Sequence, residues 1–103
     1  MPGFLYLRET GKDTVEIHVM GVKQAYHRTG IGSALIRAAE KTAAEAGYSF
    51  LQVKTVQYGK YPEYDRTNRF YQNVGFKEFE VFPDLWDEAN PCRIYVKSIR
   101  TDL

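Results

Sequence analysis

The feature that most constrains the fold is a pair of glycines placed directly before a long helical pattern. A strand pattern ends near Val22, a loop contains Gly30 and Gly32, and helix-forming residues then run over positions 33–46, with Gly47 as a natural stop. Glycines at such a turn let the backbone approach a ligand, and the unpaired amides of a first helical turn attract anions such as phosphate. The alternative is that these glycines only shape a tight strand-to-helix turn. Neither a P-loop lysine nor the third glycine of a dinucleotide-binding loop is present.

The rest of the pattern predicts an α/β fold with a mixed sheet. Residues 4–7 and 15–19 read as an antiparallel hairpin, and residues 50–56 form a strand after the helix, so a parallel pair with a helical crossover is expected. The helix places apolar residues at three- and four-residue spacing. These residues are Ile31, Leu35, Ala38, Ala39 and Ala43. The remaining elements predicted are a short helix at 67–73, strands at 79–82 and 94–99, and a loop at 83–91.

Length and charge exclude several classes of protein. The chain has 103 residues, enough for one domain, and we expect a single domain over residues 1–103. Its 14 Lys and Arg balance 13 Asp and Glu, which argues against a general nucleic-acid binder. The sequence has one cysteine, Cys92, and neither a membrane-spanning apolar run nor a secretory signal pattern. A cytoplasmic protein that binds neither nucleic acid nor membrane is expected.

Two segments together resemble the GNAT superfamily of acetyl-coenzyme A-dependent N-acetyltransferases. Residues 27–32, His-Arg-Thr-Gly-Ile-Gly, are similar to the family's pyrophosphate loop, Arg/Gln-x-x-Gly-x-Gly/Ala. Residues 67–76, Thr-Asn-Arg-Phe-Tyr-Gln-Asn-Val-Gly-Phe, are similar to its Phe-Tyr-x-x-x-Gly-Phe segment. Residues 86–92 resemble the C-terminal region of one bacterial subgroup, and the three matches keep the family's order over about residues 3–99. His27 departs from the usual Arg or Gln, but a histidine also donates hydrogen bonds to phosphate.

The resemblance implies a GNAT-like mixed sheet with a central helix that follows the pyrophosphate-binding loop. Relative to the family, the chain begins inside the third strand, so the usual N-terminal strand and helices are expected to be lacking. The strand at residues 4–7 would then have an exposed edge, which favours a homodimer. The activity implied is transfer of an acetyl group from acetyl-CoA to a primary amine, by direct attack in a ternary complex. The acceptor, a small molecule or a peptide, is not identified by the sequence.

The resemblance also assigns residues to the cofactor. Main-chain groups near Met20 and Val22 would pair with the pantetheine arm, and Asn68 would contact the cofactor through its side chain. The remaining cofactor-binding residues lie in the pyrophosphate loop and at the helix start: His27, Arg28, Thr29, Gly30, Ile31, Gly32 and Ser33.

Two residues carry the predicted chemistry. Tyr71 matches the family's general acid, which protonates the departing thiolate, although an aromatic at helical spacing is also an ordinary packing residue. Glu16 lies six residues before Val22, where histone acetyltransferases of the superfamily have their base. A solvated strand carboxylate is the alternative for Glu16, and His18 on the same strand face, or a chain of waters, is the alternative base.

No metal site is expected, because His18 and His27 have no companions at metal-ligand spacing. A second function also stays open. A chain that lacks part of the usual fold could be a catalytically poor module that binds coenzyme A or a partner protein.

Overall fold

The computed structural model describes residues 3–22 and 30–100. In chain order, the described elements are β1 (Gly3–Glu9), β2 (Thr14–Val22), α1 (Ile31–Glu45), β3 (Phe50–Val56), α2 (Pro62–Asn73), β4 (Lys77–Asp87) and β5 (Asn90–Ser98). The strands form one five-stranded mixed sheet in the order β1-β2-β3-β5-β4. The predicted α/β class with a mixed sheet is confirmed.

The chain divides into two compact units, of which the first contains β1, β2, α1 and the start of β3, together with residues from Ser98 onward. The prediction of a single domain stays a prediction. In this unit β1 and β2 form the predicted antiparallel hairpin, in which Leu7 lies opposite Ile17 and Tyr6 opposite Val19. His18 is therefore the extra residue of a β-bulge, a feature that re-aims neighbouring side chains.

Helix α1 packs against β1 and β2 through one apolar face. Ile36, Ala39 and Ala43 are buried on this face, whereas Ala38, which has the right spacing to belong to it, is exposed. On the hairpin, Val15 and Ile17 are buried. After the helix, Gly47 adopts a left-handed φ of 97°, so the predicted stop is confirmed.

The second unit, residues 52–97, contains most of β3, then α2, β4 and β5. Its buried apolar residues come from β3, α2, β5 and the turn between α2 and β4: Val53, Val56, Tyr71, Phe76, Cys92, Ile94 and Tyr95. β4 and β5 pair antiparallel, with Lys77 opposite Val96 and Phe82 opposite Cys92.

Two boundaries in this unit were predicted wrongly. The short helix begins at Pro62 rather than at residue 67, because proline suits the first helical position and Glu63 and Asp65 stabilise the first turn. The loop predicted at residues 83–91 is largely strand, since β4 continues to Asp87 and β5 starts at Asn90. The prolines that indicated a loop are tolerated, because the ladder is irregular between Phe82 and Asp87.

Candidate active site

The N-terminus of α1 has the form of an anion site. Gly30, the N-cap residue, adopts φ 89°, and a Cβ built on it would meet no atom of residues 3–22 and 30–100 within 4 Å. No side chain of the described residues caps the helix, and its first turn contains no acidic residue. In contrast, α2 has two acids in its first turn. No carboxylate of the first turn therefore neutralises the amides and the partial positive charge at the start of α1. A phosphate ligand requires a helix start that is not neutralised in this way.

The predicted cofactor-binding residues are only partly described. His27, Arg28 and Thr29 lie outside the described residues. Ile31, Gly32 and Ser33 form the first turn of α1 and are half-buried. Met20 and Val22 lie at the end of β2, where their backbones pair with Leu5 and Gly3 of β1.

Glu16 is buried in the first unit rather than solvated. Its side chain is 3% exposed, and Arg8 Nη2 donates a hydrogen bond of 2.7 Å to its Oε1. The two residues lie directly opposite each other in the β1–β2 ladder. A buried carboxylate needs such a partner, because an isolated charge is costly to remove from water. The alternative of an ordinary solvated carboxylate is therefore wrong.

His18, the extra residue of the β-bulge, lies beside this carboxylate. His18 Nδ1 lies 3.7 Å from Glu16 Oε1, and the imidazole is about half exposed, at 51%. A half-exposed imidazole next to a carboxylate has access to solvent protons on one side and to an orienting anion on the other. The structure thus brings together the two candidate bases that the sequence predicted.

In the second unit, Tyr71 is buried among aromatic rings. The side chain is 7% exposed, and its ring centroid lies 5.5 Å from those of Phe70 and Phe76 and 6.1 Å from that of Tyr95. Among the described residues, its side-chain partners are rings rather than hydrogen-bonding groups. Burial raises the pKa of the Tyr71 phenol above its ordinary value of 10.0. The phenol is therefore protonated at neutral pH and its hydrogen is available for donation.

Asn68 is fully buried one turn before Tyr71, with 0% exposure. Its Nδ2 donates to the carbonyl of Val56 at 2.9 Å and to that of Tyr64 at 2.6 Å, and its Oδ1 accepts from the Tyr95 hydroxyl at 2.8 Å. Both amide hydrogens are thus donated to the protein's own carbonyls. The structure ties Asn68 to neighbouring elements, and its predicted contact with the cofactor stays a prediction.

Two residues that the sequence reasoning missed complete these arrangements. Arg8 pairs with Glu16, and the hairpin register would have revealed the pair, since directly opposed residues of opposite charge interact across strands. Tyr95 has no such local signal, because a tyrosine in a strand pattern looks like any packing aromatic. Within residues 3–22 and 30–100, no group of three or more potential metal ligands is found, nor a helix long and apolar enough to span a membrane.

Solved structures with the same fold support this description. A GNAT-family protein from Desulfovibrio desulfuricans superposes with a TM-score of 0.87 at 20% identity, over 97% of this chain and 62% of that one. A GNAT acetyltransferase from Elizabethkingia anophelis with bound acetyl-CoA gives 0.81 at 17% identity, over 95% and 69%. An aminoglycoside 6'-N-acetyltransferase in complex with coenzyme A gives 0.78 at 21% identity, over 95% and 66%. The chain therefore spans roughly three fifths to two thirds of the length of these proteins.

Comparison by sequence alone gives a family but no individual relative. No curated protein is significantly similar to the chain. The family model of the acetyltransferase (GNAT) domain matches residues 1–78, about three quarters of the sequence. This match includes both the glycine turn before α1 and the Tyr71 segment of α2, and the chain belongs to the GNAT acetyltransferase family.

Proposed function

We propose that this protein is an acetyl-CoA-dependent N-acetyltransferase that acts on a primary amine. The observation that carries the proposal is the environment of Tyr71, a protonated phenol held among rings without a hydrogen-bonding partner among the described residues. Burial raises the pKa of this phenol, so it keeps its hydrogen at neutral pH for donation to a reacting group. Family membership supports acetyl transfer in general.

The start of α1 fits the pyrophosphate of coenzyme A. The amides of Ile31, Gly32 and Ser33 would donate to phosphate oxygens, and Gly30 leaves room for them because it has no side chain. His27, Arg28 and Thr29 would complete this loop, and the backbones of Met20 and Val22 would hold the pantetheine arm. When bound, acetyl-CoA supplies an acyl group activated as a thioester. Structural neighbours with coenzyme A or acetyl-CoA bound support this assignment.

Tyr71 would act as the general acid. The neutral amine nitrogen forms a bond to the acetyl carbon, the carbon–sulfur bond breaks, and the electron pair of that bond goes to sulfur. The Tyr71 hydroxyl hydrogen-bonds or protonates the departing thiolate, which is otherwise a poor leaving group. The dry environment of the phenol strengthens this donation.

Glu16 would accept the proton that the amine must lose. Its carboxylate is buried and fixed by Arg8, and His18 lies within 3.7 Å of it. A proton taken up by the carboxylate can pass to the half-exposed imidazole and so to solvent. His18 acting directly, or a chain of waters, remains the alternative to Glu16.

The acceptor and the assembly state are part of the proposal. One structural neighbour acetylates an aminoglycoside, which supports a small-molecule amine, and a peptide amine is the other class we consider. The reaction would take place in the cytoplasm, a reducing compartment in which disulfides are rare. The sequence has one cysteine, the buried Cys92, and therefore needs no disulfide within the chain.

A homodimer would form along β1. This strand is at one end of the sheet order, and Phe4 and Tyr6 on its outer face are 42% and 64% exposed. Sedimentation at micromolar concentrations is expected to give a dimer, and a Tyr6→Lys variant is expected to shift the protein toward monomer. A clean monomer of the wild-type chain over this range would contradict the dimer.

Acetyl transfer is tested by mixing the purified chain with acetyl-CoA and a mixed panel of primary amines, with detection of free thiol. Thiol release that requires an amine supports the enzyme. Binding of acetyl-CoA without release over the whole panel supports the second candidate, a coenzyme A-binding module with little catalytic activity.

A further inference from the structure

The largest fully buried side chain of the second unit carries a hydroxyl group at the centre of a polar network. Tyr95 on β5 is 0% exposed, and its hydroxyl makes three hydrogen bonds. It donates to Asn68 Oδ1 at 2.8 Å and accepts from Gln72 Nε2 at 3.0 Å and from Arg93 Nη1 at 3.0 Å. Donor and acceptor capacity of the phenol are both used, so this site is built for a hydroxyl and not merely for an aromatic ring.

The network connects four elements of the unit, α2, β3, β4 and β5. Asn68 extends it from β5 to the carbonyl of Val56 at the end of β3 and to the carbonyl of Tyr64 in α2. Arg93 also lies over the Tyr95 ring, 5.8 Å from its centroid, and its Nε is 3.4 Å from the carboxylate of Glu78 on β4. The orientation of α2 on β5 is therefore set by directional bonds in addition to non-directional apolar packing.

This network lies directly against Tyr71. On α2, Asn68 lies one turn before Tyr71 and Gln72 directly after it. Both side chains form hydrogen bonds with the Tyr95 hydroxyl. The rings of Tyr71 and Tyr95 are tilted against each other at a centroid distance of 6.1 Å. A displacement of Tyr95 or a rotation of α2 would thus move the Tyr71 phenol.

We propose that Tyr95 is a positioning residue, whose hydroxyl fixes α2 through Asn68 and Gln72 so that the Tyr71 phenol is aimed at the departing thiolate. This inference rests on the proposed role of Tyr71 as the general acid. Burying polar groups costs free energy, even when they are hydrogen-bonded to each other. If position 95 served only to pack the core, an apolar residue would suffice there. A general acid must be held within a fraction of an ångström of its productive position, and this requirement accounts for the hydroxyl of Tyr95.

The Tyr95→Phe variant keeps the ring and removes the central hydroxyl. We expect kcat to fall by about 10- to 100-fold, with the KM for acetyl-CoA changed by less than about twofold. In the ligand-free chain, NMR is expected to show shifted or broadened ring resonances for Tyr71. Tyr48→Phe, which removes a hydroxyl that donates to Glu9 in the first unit, is the matched control and is expected to leave kcat and the Tyr71 resonances unchanged.

A double-mutant cycle separates this inference from the proposed function. If Tyr95 acts through Tyr71, the Tyr71→Phe/Tyr95→Phe variant has the kcat of Tyr71→Phe alone, within about twofold. If Tyr71→Phe lowers kcat but the two effects multiply, or Tyr95→Phe has wild-type kcat and wild-type Tyr71 resonances, the positioning role is overturned and the role of Tyr71 stands. If Tyr71→Phe keeps wild-type kcat, the acid assignment fails and the positioning role falls with it.

Discussion

Replacing Tyr71 with phenylalanine is expected to lower kcat by about 10²- to 10⁴-fold, the usual contribution of a general acid. The ring remains to pack against Phe70, Phe76 and Tyr95, so the fold and the affinity for acetyl-CoA should change little. Steady-state kinetics with the best amine of the panel gives kcat, and calorimetry gives the dissociation constant of acetyl-CoA. The substitution thus separates chemistry from binding.

The pH dependence of the same variant is a second readout of this prediction. Burial raises the pKa of Tyr71 above 10.0, and a general acid acts in its protonated form. In the wild type, kcat should therefore fall as the pH rises through this raised pKa, and Tyr71→Phe should lack that alkaline limb. Tyr48→Phe, in the first unit, is the control. An unchanged kcat, or an alkaline limb that persists in Tyr71→Phe, would remove Tyr71 from the role of acid.

Replacing Ile36 with alanine is expected to destabilise the chain by about 2–5 kcal/mol. Ile36 is 1% exposed on the face of α1 that packs against the hairpin, and the substitution leaves a cavity there. Alanine is itself a better helix former than isoleucine, so the loss cannot come from the helix's own propensity. Urea unfolding monitored by circular dichroism measures the change in the free energy of unfolding.

The neighbouring residue Arg37 gives a matched control in the same helix. Its side chain is exposed, and Arg37→Ala is expected to change the free energy of unfolding by no more than about 0.5 kcal/mol. Equal destabilisation by the two variants would show that the described packing of α1 is wrong.

The elements that the sequence predicted well are those with strong local signals. The β1–β2 hairpin has an apolar-aromatic run before the turn around Gly11 and an alternating pattern after it, and α1 has a sustained apolar period that ends at Gly47. Both patterns depend on residues close in sequence, so they can be read without knowledge of tertiary contacts. The glycine turn and the Tyr71 segment then identified the family.

Features that depend on contacts between distant residues could not be read in the same way. Pro83 and Pro91 indicated a loop, yet pairing between β4 and β5 keeps most of this region in strands. The hydrogen bonds of Asn68 to Val56, Tyr64 and Tyr95 also depend on residues that only the fold brings together, and its contact with the cofactor stays a prediction. The burial of Glu16 between the buried Val15 and Ile17 likewise could not be read from the alternating pattern of β2, which places Glu16 on the opposite face from these two residues.

The most direct test of the account is thiol release by the wild-type chain, measured with acetyl-CoA and a panel of small-molecule and peptide amines. An amine-free blank and Tyr71→Phe are run in parallel, and calorimetry follows the binding of acetyl-CoA to both proteins. The account predicts that both bind acetyl-CoA, that the wild type releases thiol only when an amine is present, and that Tyr71→Phe releases it far more slowly. Absence of acetyl-CoA binding to the wild-type chain, with no amine-dependent thiol release, would contradict the account.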